Sequence, residues 1–421
     1  MSEKYVKRYI DPITDIQNQK SEFRLDGDAW RSNLKLVMAF KQAGNTKYNQ
    51  LAGAYGGIRH IRLMSGGVEV DSCRFANYYM AFKNVLQKNE DNVGYRSKLS
   101  KAAVGFQIDA LLTFGARNID TMANVAGSDG VSGAVLHLSE ILPILRNVEI
   151  FNTMLFPDLR VVIEYNTDDK LIADRIANVA DSQPPIMIAE EVMDQQMVKS
   201  SMGFKGVLWT TIESDQVIIP AKLDAGVQSV TRKVNGFDGK KCDRIVMMKH
   251  LFPISKNYTG TVPNAFGTYS SYVQNLEEVN FNLNGKPVFP NSGGLKDSGE
   301  KSMVLHDTWG PVNIIPYGNQ SGTGSFLGRD TNIPVGEPAN YGVPQIPNVA
   351  AARISTKVGA QDYIGLSLAD HVNNLELEFS RTTVVDNRTI KPQNESLQIR
   401  MFAEVRKQLV VSNGKILVSY Q

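Results

Sequence analysis

A segment near residue 61 is written again in the second half of this chain, and that repetition restricts the fold more than any other feature. Ile61-x-Leu63-x-x-Gly66-Gly67-x-x-Val70 returns as Val279-x-Phe281-x-x-Asn284-Gly285-x-x-Val288, an offset of 218 (279 − 61). In both copies an alternating apolar run meets two residues that tolerate positive φ, and a second run follows: strand, tight turn, return strand. Leu136-x-Leu138-x-Glu140 returns as Leu366-x-Leu368-x-Asp370 at an offset of 230 (366 − 136), and Leu159-x-Val161-x-Ile163 as Leu375-x-Leu377-x-Phe379 at 216 (375 − 159). One alternating triplet recurs by chance in any β protein, but three in the same order point to two copies of one fold. The offsets are just over half of 421 residues. Two β domains of about 200 residues each are expected, joined near Ser200 to Lys205, the first with an extra loop after Leu142.

The rest of the pattern agrees. Phe23-Arg-Leu25 and Leu34-Lys-Leu36-Val-Met38-Ala-Phe40 alternate as half-buried strands do, and Ile399-Arg-Met401 leads through Leu409-Val-Val to Asn413-Gly414 and Ile416-Leu-Val418, a terminal hairpin. Helical spacing is confined to Phe75–Leu86, with apolar residues at Phe75, Tyr78, Tyr79, Phe82, Val85 and Leu86, and to one turn after Ser139, which is expected to serve as its N-cap. Gly, Pro, Asn and Ser crowd the stretch from Gly285 to Pro347, which reads as large surface loops between strands.

Little in the residue inventory supplies chemistry. The formal charge of +2 is far from the basic balance of a dedicated nucleic-acid binder. Cys73 and Cys242 are too few for a disulfide framework, which favours a reducing place of folding, and Met1–Arg8 lacks the apolar core of a signal peptide. The chain is therefore expected in the cytosol unless something carries it elsewhere. His60, His137, His250, His306 and His371 are scattered, with no metal-ligand spacing; His137 and His371 are expected as structural residues, and His306-Asp307 beside Trp309 as a polar loop. Gly322-Thr-Gly324-Ser-Phe-Leu-Gly328 departs from a dinucleotide fingerprint, and Glu190-Glu191, Asp168-Asp169 and Glu277-Glu278 read as solvated loop charge. No catalytic, cofactor or metal site is assigned. Lys4, Lys7 and Arg8 read as a mobile basic arm ahead of the first strand, and Arg232-Lys233 with Lys240-Lys241 as charge flanking the Asn235-Gly236 turn.

Ala134-Val-Leu-His-Leu-Ser-Glu-Ile-Leu-Pro-Ile-Leu-Arg, followed by Leu155-Phe-Pro-Asp-Leu-Arg-Val-Val-Ile-Glu-Tyr, resembles a stretch of the double jelly-roll major capsid proteins. Gly56-Gly-Ile-Arg-His-Ile-Arg-Leu-Met-Ser-Gly-Gly-Val-Glu-Val is similar to the first roll of such proteins from virophages and polinton-like viruses. The resemblance covers about half of the chain. It implies an all-β fold of two tandem eight-stranded jelly-roll sandwiches with short helices and long surface loops, residues 1–203 forming the first roll with its arm and 204–421 the second with a loop insertion at about 286–347. It further implies homotrimeric, pseudo-hexameric capsomers in an icosahedral virion made in the host cytoplasm. Neighbouring capsomers, penton and minor capsid proteins would be the partners, and Lys4, Lys7 and Arg8 would lie on the inner face toward minor proteins, a membrane or the genome. Loops at 291–347 and 94–133 would form outer towers.

Two other readings share the duplication. A trimeric receptor- or carbohydrate-binding β-sandwich needs no catalytic motif either. A bicupin or glycosidase-type enzyme needs clustered His or Trp, which five isolated His and 3 Trp do not provide.

Overall fold

The computed structural model describes residues 4–16, 19–41, 47–49, 53–86, 99–100, 116–118, 131–165, 184–220, 222, 226–251, 278–289, 294–296, 298–309, 363–383, 397–412 and 415–421. The first half contains strands β1 (Tyr5–Ile10), β2 (Thr14–Ile16), β3 (Lys20–Arg24), β4 (Ala29–Lys41), β5 (Lys47–Asn49), β6 (Ile58–Ser65), β7 (Val68–Arg74), β8 (Ala116–Asn118), β9 (Val131–His137), β10 (Ile150–Asn152), β11 (Arg160–Tyr165) and β12 (Ile186–Val192). One sheet runs β1-β12-β4-β10 with β9 also on β4, the other β2-β3-β11-β6-β7; β5 and β8 pair with each other. Phe23, Leu63 and Val161 of one sheet and Leu36, Leu136 and Met187 of the other meet in one buried cluster, as facing sheets do.

The second half contains β13 (Gly206–Ile219), β14 (Gly226–Val234), β15 (Lys240–Leu251), β16 (Val279–Leu283), β17 (Lys286–Pro287), β18 (Tyr363–Val372), β19 (Leu375–Thr383), β20 (Leu397–Ser412) and β21 (Lys415–Tyr420). Its sheets run β13-β20-β15-β18, with β21 on β20, and β14-β19-β16-β17. The order β1-β12-β4-β9 is thus repeated as β13-β20-β15-β18, and β3-β11-β6-β7 as β14-β19-β16-β17. Eight strands are common to both halves; β2, β10 and β21 are additions at sheet edges. In chain order the strands visit the two sheets in the same sequence in each half, and this is the connectivity of a jelly roll.

Two of the three sequence repeats fall on equivalent strands and keep their register, while in the third Leu136 lies on β9 but Leu138 and Glu140 lie beyond its end, where Leu366–Asp370 stays within β18. Val161 sits opposite Leu63 and Ile163 opposite Ile61; their counterparts Leu377 and Phe379 sit opposite Phe281 and Val279. Each β6-β7-type hairpin turns through two left-handed residues, Gly66 and Gly67 (φ +54° and +82°) or Asn284 and Gly285 (+52° and +80°), the type I′ geometry that suits the twist of paired strands. The terminal hairpin is present as well, with Ser412 opposite Lys415.

Among the described residues the strands are punctuated by helices α1 (Ala76–Leu86), α2 (Ile144–Asn147), α3 (Gln195–Ser201) and α4 (Ser298–Trp309). Two expectations need correction. Ser139 caps nothing: it lies inside a 3-10 turn, Leu138–Glu140, and the residue ahead of α2 is Pro143. The insertion expected between Gly285 and Pro347 is not loop throughout, because α4 occupies residues 298–309 and packs on β18 and β15. The remainder of that stretch beyond Trp309, and most of 94–133, lie outside the described residues, as do Gly322–Gly328 and Asp168-Asp169.

Candidate functional site at the seam between the two sandwiches

Helix α1 leaves β7 through Phe75, held at φ +59° between the guanidinium groups of Arg74 and Arg400, whose carbons lie 5.1 and 3.6 Å from its ring centre. Arg400 belongs to β20 of the second half, is 3% exposed, and also covers Tyr78 at 4.2 Å. One turn on, Tyr79 packs on Phe402 of β20 at 5.6 Å, and Phe82 meets Trp309 of α4 edge to face at 5.1 Å. The Arg244 guanidinium stacks on the Trp309 ring at 4.0 Å, and Arg244 grips Glu404 with two bonds of 2.6 and 2.8 Å. Such two-pronged pairs fix orientation as well as charge. The helix that follows one hairpin thereby packs on the helix that follows the other.

The second contact is polar. Asp71 of β7 is fully buried, and its carboxylate accepts from the Thr211 hydroxyl of β13 (2.5 Å), from the Ser72 amide and from the Ile144 amide that opens α2 (both 3.0 Å). A carboxylate from a distant strand, not Ser139, therefore caps that turn. Burial pushes the Asp71 carboxyl above its ordinary range against the pull of these donors and of Lys407. Glu213, on β13, accepts from the Tyr420 hydroxyl at 2.6 Å and pairs with Lys240 and Lys407, each at 3.3 Å. Burial alone would raise Glu213, but Lys407, Tyr420 and Lys240 together hold it below the ordinary carboxylate range. Around this group Trp209, Ile212, Leu409 and Ile416 of the second half join the buried cluster of the first.

The long ribbon of β13 and β20 explains how one sheet serves two cores. Val217, Ile219, Ile399, Met401, Ala403 and Val405 enter the core of the second sandwich, whereas Trp209, Thr211, Lys407 and Leu409, with the same period of two, are buried against the first.

The residues singled out from the sequence are placed differently from expectation. Lys4, Lys7 and Arg8 do not form a free arm ahead of the sheet. Tyr5–Ile10 is the edge strand β1, Lys7 stands opposite Glu190, Arg8 pairs with Glu191 at 2.8 Å, and the Lys4 carbonyl accepts the Met193 amide. Successive side chains on a strand point to opposite faces, so Lys7 and Arg8 do not share one patch. Glu190 binds Arg31 and Asn33, which makes the Glu190-Glu191 pair a set of strand ion pairs and not loop charge. His60 lies 3.7 Å from Glu164, His137 is half-buried on β9, His371 is exposed on β18, and His306 and Asp307 belong to α4, not to a polar loop. Lys240 joins the seam, while Lys233 pairs with Asp238. Cys73 and Cys242 are buried free thiols, the latter pushed up to about 12 by burial. Among the described residues no group of three or more His, Cys, Asp or Glu is arranged to hold a metal.

Sequence reasoning passed over Asp71, Arg400 and α4. The duplication carried a signal for the helix: α4 follows the second hairpin as α1 follows the first.

No protein-family model matches the sequence, and no curated protein matches it. Solved structures do. The chain is similar to PBCV-1 VP54 fitted into a reconstruction of the virophage Sputnik, with a TM-score of 0.59 and 10% identity over 99% of this chain and 97% of that one. It is similar to the mavirus major capsid protein (0.54, 9%, 98% and 90%) and to the Faustovirus major capsid protein (0.53, 8%, 97% and 90%). At these identities the likeness is one of fold, and the fold is the double jelly roll.

Proposed function

We propose that this double jelly roll is a major capsid protein, three copies of which form a pseudo-hexagonal capsomer of an icosahedral shell. The observation that carries the reading is the repetition of eight strands in the same order in both halves, which gives one chain two similar blocks and a trimer six. Similarity to capsid proteins over nearly the whole length of each chain supports it. The seam supports it too, because a rim of six equal blocks needs each pair held rigidly.

Exposed apolar residues on outer strands are the contacts such a subunit would offer. Leu208 on β13 and Leu417 on β21 are 57% and 59% exposed, and β20 pairs with both strands through Gln408 and Val410, so the two leucines share one face. Edge strands and apolar patches of this kind are normally covered by a partner. In this reading the rolls divide at residues 203 and 204, and loops within 286–347 and 94–133 form the outer towers. Lys4, Lys7 and Arg8 face interior partners as an edge strand: minor or penton proteins, a membrane or the genome. The function is structural, not catalytic, and the place of work is the virion.

Light scattering on the purified chain tests this. A mass of three chains is expected; a monomer at every protein and salt concentration would contradict the reading.

A further inference from the structure

The outer face of the β14-β19-β16 sheet carries a cleft of about 350 Å³, away from the seam. Its size falls at the lower end of small-ligand pockets, about 300–1,000 Å³. The register builds it row by row. Thr231, Glu378 and Asn280 lie side by side, and next to them Ser229, Ser380 and Glu278. Val230 and Phe379 send their side chains the other way, into the core of the second sandwich, and give the cleft only main chain. It is therefore walled by hydroxyls, carboxylates and an amide on three rigid strands.

Three of these groups are already engaged, Glu278 by pairing with Lys296 at 3.2 Å. The Asn280 side chain bonds the main chain at Phe281 and Phe289, and one oxygen of Glu378 accepts from Asn282 at 2.6 Å. Ser380 is 6% exposed and lines the cleft. With Ser229 and Thr231 beside it, three hydroxyls that each donate and accept converge with carboxylate acceptors.

We propose that this cleft binds a neutral polyhydroxylated ligand, a single sugar residue of a glycan, with Ser380 at its floor and Glu378 accepting from a ligand hydroxyl. The Glu378 carboxylate disfavours anionic ligands, and the lack of an apolar wall disfavours lipids and apolar peptides. Without an aromatic platform the affinity for a lone sugar is weak, in the millimolar range typical of ligands held by a few hydrogen bonds. The inference does not depend on assembly, because the cleft is complete within one chain.

Saturation-transfer NMR on the full chain, with glucose, galactose and N-acetylglucosamine, tests it, with sialic acid and calcium chloride as comparisons. Transfer to at least one neutral sugar is expected. Ser380→Val and Glu378→Gln should each weaken it about tenfold, the loss of one hydrogen bond involving a charged or buried partner, while circular dichroism and melting stay those of the parent. Four results would overturn the proposal: no transfer to any neutral sugar, transfer unchanged in both variants, equal transfer to sialic acid, or calcium binding lost in Glu378→Gln without any sugar binding.

Discussion

Asp71 of the first sandwich accepts a hydrogen bond of 2.5 Å from Thr211 of the second, and neither residue has exposed surface. Because the same carboxylate also receives two main-chain amides, its removal strands three donors in a dry seam. Asp71→Ala should destabilise the chain by about 3 kcal/mol, the cost of leaving buried donors unpaired, whereas Thr211→Val should cost about 1 kcal/mol. Urea unfolding measures both. Equal effects would mean that the carboxylate serves only Thr211.

The acid limb of stability should depend on Glu213. Its carboxyl is held below the ordinary value of 4.5 by Lys407, Tyr420 and Lys240. Such a group adds stability that is present above its unfolded value and lost as pH falls through the folded one. Asp71, raised by burial, acts in the opposite direction: its ionisation opposes folding as pH rises above 3.8. Glu213→Gln should therefore flatten the fall in melting temperature below pH 4.5, and a profile as steep as the parent's would contradict the assignment.

The helix pair is open to a packing test. Phe82 is buried against Trp309 and near Tyr79, so Phe82→Ala leaves a cavity where α1 meets α4. A loss of about 3–5 kcal/mol is expected. Met303, 58% exposed on α4, is the control, and Met303→Ala should change stability by less than about 0.5 kcal/mol.

The strand framework was legible because its signal is local. Alternation and paired turn residues announce a hairpin within ten residues, and repeating it at 218 announces a second roll. Asp71 was illegible because Thr211 lies 140 residues away, and nothing beside Asp71 distinguishes it from a surface carboxylate. Helix α4 was missed for a different reason. Its first turn is Ser-Gly-Glu-Lys, and only Val304, Leu305 and Trp309 repeat the apolar stripe that Phe75, Tyr78, Tyr79 and Phe82 supply around α1. Lys4, Lys7 and Arg8 misled because charge on a strand edge and charge on a free arm look alike until the partners Glu190 and Glu191 are known.

The central claim is that three copies of this chain build a six-sided block. Electron microscopy of the purified protein tests it most directly, alongside Leu208→Glu and Leu417→Glu, which place a charge on the exposed strand face. The account predicts particles of hexagonal outline with three-fold symmetry for the parent, and single double-lobed particles with unchanged melting for the variants. Single particles from the parent chain under all conditions would contradict it.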